Sequence, residues 1–183
     1  MTTRDEYRAQ AREDRVQRLS QALDDLATAI QGKTDDALSR RPDTKNWAAK
    51  EVVCHLRDIE ELFMLRFHMM LGTDDPPFLT LGDMPPDPQR WGIGGRIAIP
   101  LDPARWAEDR QYLRNDTVLA LSALRRRREE SLIFLRNLTP TQWERGSIHL
   151  IDGRMTFDDW TALIAEHDEE HLDQLKRALE GRP

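Results

Sequence analysis

The chain has little of what builds sheets, disulfides or membrane spans. Its 183 residues include one cysteine, two tyrosines and nine glycines, and aromatic side chains make up 7%. A single cysteine, Cys54, excludes an intramolecular disulfide and agrees with a reducing, cytoplasmic setting. Valine and isoleucine are sparse beside leucine, alanine, arginine and glutamate, a balance that favours helix over strand. No apolar run approaches the length that crosses a bilayer, and the start "MTTRDEYRAQAREDR" has no apolar signal core, so no membrane partner is expected. A basic stripe is missing too. The net charge is -6 and the arginines are interleaved with acids, which argues against a nucleic-acid partner.

What is present fits one all-α domain over residues 1–183. Val16, Leu19, Leu23, Leu26 and Ile30 recur at threes and fours and predict a first helix over 4–31, ended by Gly32. A second helix is expected from near Trp47 to Leu71, stopped by Gly72. The stretch from Gly72 to Arg114 holds most of the prolines and five of the nine glycines, which denies a continuous helix. It reads as a long crossover, with a short helix after Asp102 and Pro103. A third long helix follows over 115–137. Thr139-Pro140 with Gln142, and Thr156 with Asp159, are capping signals for a short helix and for the last long one, which runs to about Glu180. Helices two and three can then run parallel, as in bundles with a long crossover.

The stretch "AEHDEEHLDQL" places His167 and His171 four residues apart, neighbours on one helix face. At about 100° per residue they share a side with Trp160, Leu163, Ile164, Leu175 and Ala178, so both point inward. The same count groups His55 with Val52, Ile59 and Leu62 on the second helix. Three imidazoles converging in a core need hydrogen-bond partners, or an ion that uses their lone pairs. A catalytic metal site combines three protein ligands with an open position, and bundle cores build such sites from facing helices. His68 and His149 fall outside this set. Cys54 is turned away and packs as a small hydrophobe. Asp58 is read as an exposed carboxylate or a hydrogen-bond partner of a ligand. Asp168, Glu169, Glu170 and the "RRRREE" run from Arg125 are read as solvated charges, and "GIGGR" from Gly92 as an ordinary loop.

Together "NWAAKEVVCHLRDIEELF" and "WTALIAEHDEEHLDQL" resemble the DinB/YfiT-like superfamily over nearly the whole chain. The resemblance implies a DinB-like four-helix bundle of up-down-down-up topology with a long crossover between helices 2 and 3. It also implies a divalent metal held by His55, His167 and His171, and a homodimer. Several members use a low-molecular-weight thiol such as mycothiol or bacillithiol in transferase or isomerase reactions. Two departures stand out. Ala48 replaces the hydroxyl residue that usually caps helix 2, so Asn46 is expected to cap instead. The chain also stops at Pro183, without the extra C-terminal domain usual in the mycothiol-dependent isomerases.

The expected function is therefore a thiol-dependent S-transferase acting on small electrophiles. The alternatives are a metal-dependent hydrolase and a non-catalytic metal- or ligand-binding stress-response protein. Three neutral imidazoles suit zinc, nickel or ferrous iron, and Asp58 and the acids of the crossover are the candidates for a general base.

Overall fold

Residues 1–78, 103–149 and 152–183 are described in the structure, a computed structural model. The helix expected over 4–31 is two helices, α1 at Arg4–Ala9 and α2 at Arg12–Ile30. Thr3 opens α1 through a reciprocal capping box with Glu6, while Gln10 and Ala11 between the helices are extended. Arg15 explains the break. Its buried guanidinium donates to the carbonyl oxygens of Tyr7, Arg8 and Gln10 at the end of α1, where helix carbonyls run short of amide donors, and pairs with Asp158. The break turns α1 onto the flank of the last helix, where Arg4 meets Glu166 at 3.0 Å and the Tyr7 hydroxyl donates to Glu169 at 3.0 Å.

A short α3, Asp35–Ser39, is capped by Thr34, and α4 runs Ala49–Gly72. The residue ahead of α4 is Ala48, not Asn46. Glu51 accepts from the Ala48 amide at 2.9 Å and is held by Arg41 at 2.7 Å, so half of the capping box operates without a cap side chain. Asn46 belongs to a turn closed by Asp43. Then come α5 at Pro103–Asp109, a 3-10 turn at Tyr112–Arg114, and α6 at Thr117–Arg136, capped by Asp116. The helices α7, Pro140–Trp143, and α8, Phe157–Leu179, start from the Thr139 and Thr156 boxes as expected. Asp102 and the Gly92–Arg96 loop lie outside the described residues.

A small sheet adds to the helices. Strands β2, Gly146–His149, and β3, Gly153–Thr156, form an antiparallel hairpin, and β1, Pro77–Phe78, lies parallel to β2. His149, expected in a loop, therefore sits in a strand. Gly146 is required by contact: a Cβ there would stand 2.8 Å from the Met155 carbonyl oxygen.

Residue pairs fix the topology. Glu60 meets Arg128, Glu61 meets Arg127 and Phe67 stacks on Phe134, so α4 and α6 are parallel. His55 meets His171 while Phe67 meets Phe157, so α8 is antiparallel to α4. Arg12 meets Asp158, and farther along Leu19 shares Arg128 with Asp168, so α2 and α8 are parallel. The bundle is up-down-down-up, and the crossover between α4 and α6 is what permits the parallel pair.

Two apolar clusters fill the bundle. One is built around Phe63, Phe67, Leu132, Phe157 and Trp160, the other around Leu26, Val52, Leu124 and Leu175. Where one gives way to the other lies a charged layer that sequence patterning placed in solvent. Arg128 is 2% exposed and donates to Asp168 at 2.6 and 3.1 Å, to the Leu19 carbonyl at 2.9 Å, and pairs with Glu60 at 2.8 Å. One guanidinium thus ties all four long helices. Asp168 is buried by this contact, and Glu169 is half-buried because Thr2 and Tyr7 cover it, while Glu170 is exposed.

Candidate metal centre

His55 enters the bundle from α4, and His167 and His171 stand one turn apart on α8. Ring centroids are 4.3 Å apart for His167 and His171, 4.6 Å for His55 and His171, and 5.5 Å for His55 and His167. One nitrogen from each ring lies within 4.8 Å of the other two. The Nε2 atoms of His167 and His171 approach to 3.2 Å. Two nitrogens at the usual 2.0–2.1 Å from a shared tetrahedral ion stand roughly 3.3 Å apart. The spacing therefore suits one ion as it stands.

Electrostatics keep these rings neutral. Burial pushes His55 down to about 3, assisted by His171, and drives His167 well below its ordinary value, assisted by His171 and His55. Burial lowers His171 as well, against a hydrogen bond from its Nδ1 to Gln174 Oε1 at 2.7 Å. An amide oxygen only accepts, so Nδ1 carries the proton and Nε2 of His171 keeps its lone pair toward the other rings. The Nδ1 atoms of His55 and His167 are buried with no hydrogen-bond partner among the described residues. Neutral rings with converging lone pairs fit a divalent cation.

The remaining sequence candidates separate as follows. His68 is exposed against Phe134, and His149 pairs with Asp152 at 2.9 Å and meets the Trp160 ring edge-on, so neither joins the three. Cys54 is fully buried, its thiol pushed up to about 11 by burial. Asp58 is neither exposed nor bonded to a histidine. It accepts from Arg57 at 2.7 Å and Tyr112 Oη at 2.8 Å, and pairs with Arg110 at 2.7 Å and Arg127 at 3.4 Å. Burial opposes its ionisation, but these donors prevail and hold its carboxyl at about 2, which disqualifies it as a general base near neutrality. A carboxyl depressed in the folded state stabilises above its unfolded value, near 3.9, and loses that contribution as pH falls through about 2. Asp58→Asn should cost about 2 kcal/mol at pH 7 and flatten the acid limb between pH 4 and 2, read from urea midpoints against pH.

Sequence patterning missed two residues of this site. Trp47 packs 4.9 Å from His55 and stacks at 6.4 Å on His171, walling one side of the cluster. Gln174, three residues beyond His171, orients it; the i, i+3 spacing is the signal that points to it.

A four-helix bundle with crossed connectivity, holding three inward imidazoles from two helices, defines the class. The chain belongs to the DinB superfamily, which it matches over residues 13–175. Among solved structures it is similar to YfiT from Bacillus subtilis, described as "a probable metal-dependent hydrolase with an unusual four-helix bundle topology". The TM-score is 0.74 at 21% identity, covering 93% of this chain and 88% of YfiT. No curated protein matches the sequence significantly. No described helix is long and apolar enough to cross a membrane.

Proposed function

We propose that the protein is a metal-dependent enzyme acting on small molecules, with His55, His167 and His171 holding one divalent ion. The observation that carries this reading is the convergence of three neutral ring nitrogens within 4.8 Å. When bound there, zinc, nickel or ferrous iron supplies a Lewis acid and lowers the pKa of a water or thiol at the open position. The chain's own residues position and shield. Gln174 fixes the tautomer of His171, Trp47 and Phe63 exclude water from the sides, and the packing of α4 on α8 sets the ring spacing.

Hydrolysis is the first reaction class, supported by the fold shared with YfiT. Thiol transfer to a small electrophile is the second, supported by the motif resemblance. In that reading a low-molecular-weight thiol brings the sulfur, because Cys54 is buried and held protonated. A homodimer is proposed on the motif resemblance alone.

The test is a screen of small esters, amides and alkylating electrophiles, each with and without added thiol. Chelation should take turnover to background and leave the helical circular dichroism intact, and one divalent ion should restore it. Undiminished turnover in verified metal-free protein would contradict the reading.

A further inference from the structure

A groove of about 490 Å³ opens where the start of α2, the end of α6 and α7 meet, a size that suits a small molecule. Val16 and Trp143 are buried and form its floor, and Leu138 and Pro140 extend the apolar surface. Arg12 lies over the Trp143 ring at 4.2 Å, and Asp158 holds its guanidinium at 3.0 and 2.7 Å. Phe157 meets the indole edge-on at 6.1 Å. The indole is thus held in place, and the charge of Arg12 is matched from within the fold.

Two further charges line the groove and are not matched. Glu13 on α2 and Arg136 at the end of α6 are exposed, and neither forms an ion pair or a side-chain hydrogen bond among the described residues. Asp158 is the main partner that holds Arg12 charged, and Glu13 adds to it only through space. A ligand with a carboxylate alone would meet Arg136 but be opposed by Glu13, and a lone amine would meet the reverse. A zwitterion with an apolar body answers both charges and covers the surface of Val16, Leu138 and Pro140.

We propose that this groove is a second binding site, separate from the three histidines, for an amino acid with an apolar side chain. Its carboxylate pairs with Arg136, its ammonium with Glu13, and its side chain lies on the floor formed by Val16 and Trp143. His167 stands nine residues beyond Asp158 on α8, about 14 Å of helix rise, so the ligand does not reach the ion. The experiment titrates phenylalanine into isotopically labelled protein, beside 3-phenylpropionate, which lacks the ammonium, and 2-phenylethylamine, which lacks the carboxylate. Binding is read at the indole N–H resonance of Trp143, assigned through Trp143→Phe. Phenylalanine should bind about threefold more tightly than either analogue, because exposed charge pairs contribute modestly. Arg136→Gln should reduce its affinity to that of the amine, and Glu13→Gln to that of the acid. Both residues are exposed, so both variants should fold. Binding should be the same in metal-free and zinc-loaded protein. Equal affinities for phenylalanine and its analogues, a preference that survives both substitutions, or a Trp143 signal unmoved by about 10 mM phenylalanine overturns the proposal. Binding seen only with zinc places the amino acid on the ion, which overturns the groove and spares the metal centre.

Discussion

His55→Ala, His167→Ala and His171→Ala are each expected to weaken zinc binding far more than any other single substitution in the chain, while His68→Ala and His149→Ala leave it unchanged. The first three rings offer nitrogens within 4.8 Å of one another, whereas His149 is paired with Asp152 and His68 is exposed on Phe134. Loss of an outer partner of a metal ligand costs roughly 10–100-fold in affinity, and Gln174→Ala should fall in that range because it frees the His171 ring to turn. Loss of a ligand itself should exceed it. Calorimetric zinc titration of the six variants checks the order, and equal affinities across the five histidine variants would remove the basis for the site.

The second large effect concerns stability. Arg128→Met leaves Glu60 and Asp168, each no more than 3% exposed, as two buried carboxylates without their cation, and breaks the contact to Leu19. Breaking a buried pair from one side costs about 3–5 kcal/mol, most of it from the charge left behind. The triple variant Glu60→Gln, Arg128→Met, Asp168→Asn removes all three charges together and should recover most of that loss, because neutral groups are far cheaper to bury. Urea denaturation separates the two results. A single Arg128→Met variant within about 0.5 kcal/mol of wild type would place Arg128 among ordinary surface residues. His167 and His171 flank Asp168 on α8, so the triple variant also shows whether this clamp sets the ring spacing, through its zinc affinity.

The three-histidine site was legible because helical phase is nearly rigid. Counting 100° per residue put His55 on the inner face of one helix and His167 and His171 on that of another, and the caps at Thr139 and Thr156 set the helix starts. The break at Gln10 and Ala11 was not legible, since it depends on Arg15 reaching back to carbonyls at the end of α1, a contact made only once the helices pack. The same holds for Arg128, Asp168 and Asp58. A charge at a given angle is in solvent or in the core according to what packs over it, and Glu60 over Arg128, Arg128 over Asp168 and Tyr112 over Asp58 each come from a distant part of the chain. The hairpin at Gly146–Thr156 was hidden by its short strands.

The most direct measurement of the central claim is the X-ray absorption spectrum of the zinc-loaded protein. A first shell of nitrogen and oxygen scatterers at about 2.0–2.1 Å, with the outer-shell pattern of three imidazoles that drops to two in His55→Ala, is the predicted result. A sulfur scatterer at about 2.3 Å, or a shell unchanged in His55→Ala, would contradict the assignment of the ion to His55, His167 and His171.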